Sequence, residues 1–298
     1  SLKQMASRLD YALRVVVDDL SSLPAQSDDH LAVQAFGQLV NRDRDIRLTN
    51  HQELLELLDQ AIADTPREAA HQPVLSALVS LRAEIGIYGL GLAHTHVRLN
   101  ATQIMNAVRG DIADKLEVDR RSGRRQRTRA MDQLLDQAEP QTINFGSILA
   151  ERTSAKRLFM LVAQMLKHID NSAPVRFLIA ECEEAATVLA ALYYARVFGI
   201  AEHLDISPLF ETDAALQRGD QMIAELLSNK HFCDYVEKRG RLCIQTGFSD
   251  AGRYLGQVAA SLAIERLRIK IGRLLAQRGL KGVDLVIFDT HGESIGRG

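Results

Sequence analysis

The sequence predicts a helix-rich α/β protein in which a helical region precedes a parallel sheet. Two observations carry this. Residues 1–90 keep a helical spacing of apolar positions almost throughout, with no strand before about residue 92. Beyond that point short apolar runs alternate with amphipathic helices, the pattern of strands joined by helical crossovers.

The elements follow in order. "SLKQMASRLDYALRVVV" starts as an amphipathic helix with Leu9, Leu13, Val16 and Val17 on one face. It has neither the arrangement of a cleavable signal nor an initiator Met, and reads as the start of an excised segment. "HQELLELLDQAIA" sets Leu54, Leu55, Leu58 and Ile62 on one stripe. "VLSALVSLRAEIGIYGLGL" continues the helical character and loses it at its glycines. "LAHTHVRL" (92–99) alternates and reads as the first strand. Residues 100–172 are mostly helical around a central loop. "VRFLIAE" (175–181) is the second strand, with Pro174 as the preceding helix stop. "EEAATVLAALYYARVFGI" (183–200) is a helix ending near Gly199, and "ISPLFE" (206–211) is the third strand.

"AALQRGDQMIAELLSN" (214–229) is helical, and "RLCIQTGFSD" (241–250) contains the fourth strand. In "LGQVAASLAIERLRIKIGRLLAQRG" (255–279), Ala260, Ile264, Leu267, Ile271, Leu274 and Leu275 share a helix face, and Gly279 suits the C-terminal cap. "VDLVIFDTHG" (283–292) is the fifth strand. An open doubly wound sheet and an α/β barrel both fit, and five strands do not close a barrel of eight. The expected division is a helical region over 1–90 and a sheet-bearing region over 91–298, with a long helical insertion at about 100–172.

Composition narrows the function. The 298 residues carry a net charge of -2, so no global field favours nucleic acid or an acidic membrane. Trp is absent and aromatics make up 5%, which argues against base-stacking platforms and interfacial belts. No apolar stretch has the length of a membrane span. Cys182, Cys233 and Cys243 are widely spread without a CxxC, and read as free thiols in a reducing cytosol. "RRSGRRQRTR", with six arginines from Arg120 to Arg129, reads as a solvated loop between helices rather than an anionic-partner site, because no aromatics interleave it.

Parallel α/β proteins place ligands at the carboxyl ends of their strands. Those ends are polar here: Arg98 with Asn100, then Glu181, Glu211, Ser249 with Asp250, and His291 running on to Arg297. Glu211 and Asp250 can hold a hard divalent cation, since magnesium takes one or two carboxylates and fills the rest with water and substrate oxygens. Arg98 and Arg297 suit a phosphate or carboxylate, and His291 can move a proton near neutral pH. An acid at a strand end can instead cap the next helix. His94 and His96 share strand parity with Arg98 and read as structural. The glycines of "HGESIGRG" match neither GxGxxG nor a P-loop.

"SPLFET" (207–212), "GFSDAGR" (247–253) and "HGESIGRG" (291–298), in that order, resemble the phosphoenolpyruvate carboxylases. "HVRLNATQ" (96–103) and "FLIAECEEAATVLAALYYAR" (177–196) are similar to upstream segments of that family, and the resemblance covers roughly 75–298. It implies a partial (β/α) barrel of the phosphoenolpyruvate/pyruvate type whose last strands would lie beyond Gly298. It implies Mg²⁺ or Mn²⁺ on Glu211 and Asp250, with Arg98 on the substrate phosphate. Arg253 would bind substrate in place of the family's lysine. His291 would be the base of the bicarbonate pocket, and Arg297 part of a glycine-rich catalytic loop.

The implied reaction joins phosphoenolpyruvate and bicarbonate to give oxaloacetate and phosphate, in a cytoplasmic homo-oligomer without membrane or nucleic-acid partners. The isolated segment is expected to be inactive. Departures are visible: Glu293 stands where the family has an arginine after the histidine, and "HVRLN" lacks the family's carboxylates. A lyase or aldolase acting on phosphoenolpyruvate or pyruvate, and a decayed, non-catalytic interaction module, are the alternatives.

Overall fold

The computed structural model describes residues 2–14, 30–41, 48–91, 94–115 and 123–289. The first stretch holds α1 (Leu2–Arg14), α2 (His30–Asn41), α3 (Gln52–Asp64) and α4 (Gln72–Tyr88). β1 (His96–Asn100) leads into α5 (Ala101–Lys115), α6 (Arg124–Asp136), α7 (Phe145–Ala150) and α8 (Ser154–His168). Next come β2 (Val175–Ala180), α9 (Ala185–Val197), β3 (Leu204–Phe210), α10 (Asp213–Leu227) and α11 (Lys230–Arg239). The last are β4 (Arg241–Thr246), α12 (Phe248–Leu255), α13 (Gln257–Gln277) and β5 (Asp284–Asp289). No described helix is long and apolar enough to cross a membrane.

The chain divides into two compact units. One comprises Ser1–Thr95, Ile143–Arg152 and Met160–Pro174 and is helical. Its α3 buries Leu54, Leu55 and Leu58 of the expected stripe, while Ile62 stays half-exposed. Arg82 of α4 grips Asp59 of α3 through two bonds of 2.7 and 3.0 Å. Asn144 and Ser147 form a capping box that starts α7.

The other unit, His96–Thr142, Thr153–Phe159 and Val175–Gly298, carries the sheet. All five strands are parallel, in the order β1-β2-β3-β4-β5. This sequential order has no reversal, which removes the doubly wound alternative for these strands. The sheet is open: among the described residues no backbone pairing joins β1 to β5. It is also strongly curved. Four inter-strand steps of about 4.8 Å would hold the first and last strands about 19 Å apart in a flat sheet. The rings of His96 on β1 and Phe288 on β5 nevertheless lie 4.9 Å apart, and the Arg176 guanidinium of β2 sits 5.0 Å from the same Phe288 ring.

Register assigns the two faces. His96, Arg98, Arg176, Asp205, Arg241, Gln245 and Phe288 share the concave face, which is largely polar. The other face is apolar and helix-covered; Phe177 and Ile179 of β2, Leu204 and Ile206 of β3, and Leu242 and Ile244 of β4 are all buried there. α9 is buried nearly all round, as a helix enclosed by neighbours must be. α13 turns Ala260, Ile264, Leu267, Ile271 and Leu275 inward, and the expected Leu274 is half-buried. Gly219 of α10 permits this close layer: a Cβ there would meet Leu267 at 2.9 Å and Phe210 at 3.0 Å.

β3 pairs with β4 only at Leu209–Gln245 and Phe210–Thr246. At the amino end of β3, Tyr235 of α11 fills the gap. Its hydroxyl accepts from the Ile206 N–H at 3.0 Å and donates to the Leu204 carbonyl at 2.6 Å. Asp205 is buried beside Arg239 at 2.5 Å and Arg241 at 3.5 Å. That compensation lets β3 begin at Leu204, earlier than its apolar run suggests. The arginine-rich stretch departs from expectation as well. Residues 116–122 lie outside the described residues, but Arg124 to Arg129 open helix α6 instead of continuing a loop. Arg127 there is bonded to Glu184 at 2.7 and 3.2 Å.

Candidate metal and anion site

The polar cluster stands at the carboxyl ends of β1 to β4. Glu211 follows directly on β3 and is 7% exposed. It is not the cap of the next helix: Thr212 takes that role, its hydroxyl accepting from the Ala215 N–H at 3.1 Å. Its carboxyl is therefore available for other work. Asp250 lies in the first turn of α12, which starts from Gly247 immediately after β4.

Asp250 lies within electrostatic reach of Glu211. Burial pushes the Glu211 carboxyl above its ordinary pKa, and the charge of Asp250 and a hydrogen bond with it push the same way. The Glu181 N–H and the Arg98 charge act in the opposite sense. A nearby like charge disfavours the ionised form of a carboxyl. Gly247 lets the start of α12 pass close to Glu211: a Cβ there would lie 2.6 Å from Cβ of Glu211.

Two arginines border the pair. Arg98 of β1 places Nη2 3.9 Å from Oε2 of Glu211, and Arg253 places Nη1 3.9 Å from Oδ1 of Asp250. Both side chains are exposed, at 59% and 71%, so these contacts are loose and the guanidinium groups can turn to a further anion. Of the expected site residues, Arg98 thus stands beside Glu211 and Arg253 beside Asp250. His291 and Arg297 lie outside the described residues. His96 joins Phe288 on the concave face, and His94 precedes β1.

Two contributors, Glu181 and Asn100, were noted in the sequence as polar strand ends without a role. Glu181 donates its backbone N–H to Oε1 of Glu211 at 3.0 Å, and its own carboxylate accepts from Nδ2 of Asn100 at 2.5 Å. A cavity of about 300 Å³ lies elsewhere, lined among others by Cys182, Phe210, Arg218 and Met222. None of the four site residues borders it.

The donor set fits a hard divalent ion on a small scale. Among the described residues no group of three or more His, Cys, Asp or Glu side chains could hold a metal. Mg²⁺ and Mn²⁺ need only one or two protein carboxylates, their remaining positions going to water and substrate oxygens.

Parallel strands in sequential order, with paired acids and arginines at their carboxyl ends, define an α/β protein equipped to gather opposite charges in one cluster. The family model of phosphoenolpyruvate carboxylase matches residues 3–298, and the chain belongs to that family. It is 22% identical over 277 residues to phosphoenolpyruvate carboxylase 1 of Zea mays, covering 90% of this chain and 27% of that protein. To the phosphoenolpyruvate carboxylase of Tolumonas auensis it is 30% identical over 135 residues, 45% of this chain and 15% of the other. For that of Hahella chejuensis the figures are 29% over 122 residues, 41% and 13%. The chain thus spans about a quarter or less of the length of these curated relatives.

Proposed function

We propose that this chain is a segment of a phosphoenolpyruvate carboxylase and carries the metal-binding part of its active site. The observation that carries the reading is an acid beyond each of two neighbouring strands with an arginine beside it: Glu211 after β3 with Arg98 at 3.9 Å, and Asp250 after β4 with Arg253 at 3.9 Å. In this reading Glu211 and Asp250 hold Mg²⁺ or Mn²⁺. The ion supplies Lewis-acid stabilisation of charge developing on substrate oxygens.

The residues of the chain do the rest. Arg98 and Arg253 bind and orient the phosphate of phosphoenolpyruvate. His291 holds and moves the proton in the bicarbonate pocket, and Arg297 steadies the anion from the glycine-rich loop. Gly247 and Thr212 keep the acids at their posts, the first by leaving room and the second by relieving Glu211 of helix capping. The curved, open sheet with its polar concave face suits part of a barrel that further strands complete. Oxaloacetate formation by a cytoplasmic homo-oligomer is the activity proposed for the whole protein, and not for these residues alone.

Titration with Mn²⁺, followed by the paramagnetic signal of the free ion, tests the reading. Binding that Glu211→Ala and Asp250→Ala each weaken supports it. Binding indifferent to both substitutions, or none at all, removes it. Robust oxaloacetate production by the isolated 298 residues would contradict their status as a part of the catalytic unit.

A further inference from the structure

Glu181 is the only described non-glycine residue with a left-handed backbone, at φ 54. A residue with a Cβ adopts that conformation at a cost, and it persists where surroundings enforce it. Its consequence is visible. The chain leaves β2 abruptly, and the Glu181 N–H points to Oε1 of Glu211 at 3.0 Å.

The enforcing contact is a second link. Oε2 of Glu181 accepts from Nδ2 of Asn100 at 2.5 Å. Asn100 is itself oriented, because its Oδ1 accepts from the Thr102 N–H at 2.7 Å as α5 begins. That bond leaves only the amide nitrogen to face Glu181. Asn100, Glu181 and Glu211 stand at the carboxyl ends of β1, β2 and β3, so three consecutive strands are tied by two hydrogen bonds.

We propose that Glu181 and Asn100 are positioning residues: Asn100 anchors the Glu181 side chain, the anchor holds Glu181 left-handed, and the N–H so directed fixes the carboxylate of Glu211 for a divalent cation. One oxygen of Glu211 is thereby occupied, and the other faces Arg98. The inference rests on the metal-binding reading of Glu211 given above.

The test is Mn²⁺ titration of the 298-residue chain and four variants, each first confirmed folded by its thermal midpoint. Glu181→Ala loses the anchor but keeps a Cβ, so its backbone relaxes and Mn²⁺ affinity falls about tenfold, the scale of a lost hydrogen bond to a charged group. Asn100→Ala weakens binding in the same direction. Glu181→Gly tolerates a left-handed φ without strain and binds within about twofold of the parent. A packing role would not produce that rescue. Parent-like binding by Glu181→Ala overturns the inference, as does a glycine variant no better than the alanine one. Glu211→Ala separates the two levels: if it binds Mn²⁺ like the parent, the metal reading itself fails. If only Glu211→Ala weakens binding, the reading stands and the positioning role falls.

Discussion

Gly247→Ala should damage the site through one methyl group. The backbone of Gly247, at φ -104 and ψ 93, is open to any residue, so conformation does not oppose the change. Space does. The new Cβ would stand 2.6 Å from Cβ of Glu211, 3.3 Å from Cδ1 of Leu209 and 3.4 Å from Cα of Glu211. Carbon atoms settle at about 3.5–4.0 Å, so Glu211 must retreat by about 1 Å. The clashing atoms are at the root of Glu211, and no swing of a flexible tip relieves them. Such overpacking costs about 1–3 kcal/mol of stability.

Moving Glu211 by that distance also breaks the 3.0 Å bond from the Glu181 N–H, worth about 1.5–3 kcal/mol for a charged acceptor. Mn²⁺ affinity should therefore drop about 10–100-fold. The assay is Mn²⁺ titration at a temperature where chemical denaturation confirms the variant is folded. A Gly247→Ala chain that binds Mn²⁺ like the parent would refute the steric coupling between β4 and Glu211.

Glu211→Gln tests the raised carboxyl. Burial first, then Asp250, makes the folded chain bind this proton more readily than the unfolded chain. Its stabilising share is complete below the ordinary value of 4.5 and disappears as pH rises through the higher folded value. Without metal, the glutamine variant should have a higher urea midpoint than the parent at pH 7, and the gap should close below pH 4.5; a less stable variant at pH 7 contradicts this. Tyr235→Phe strips partners from the Ile206 N–H and the Leu204 carbonyl, and should cost about 2–4 kcal/mol by urea unfolding. A loss under about 0.5 kcal/mol would mean the wedge is dispensable. Burial pushes the Cys182 and Cys243 thiols up to about 12. Iodoacetamide at neutral pH should spare both in the folded chain and label them in urea, as read by peptide mass spectrometry. Equal labelling in both states would be inconsistent with their burial.

The strands were legible because their apolar faces are continuous: Phe177 and Ile179, then Ile206 and Phe210, then Leu242 and Ile244. What escaped depended on partners distant in sequence. Asp205 looked like loop because the arginines that neutralise it, Arg239 and Arg241, come from the approach to β4. The curvature of the sheet was invisible until His96 met Phe288. In the site, Glu211 and Asp250 were readable from their positions at strand ends. Glu181 was readable as a polar strand end but its role was not, since that part is played by a backbone N–H and a φ that side-chain chemistry does not announce. Arginines crowded from Arg120 to Arg129 suggested a solvated loop, yet helix α6 uses Arg127 to hold Glu184 beside the end of β2.

The strictly sequential strand order also bears on biosynthesis. Each strand after β1 has its pairing partner already synthesised, so the sheet can extend in the order of synthesis. Glu211 follows β3 and Asp250 lies in the first turn of α12, so both acids are present once the chain has passed β4 and begun α12. Should the proposed ion bind there, capture at that stage would bias the nascent chain towards its native packing, and divalent cation supply during translation would then alter yield.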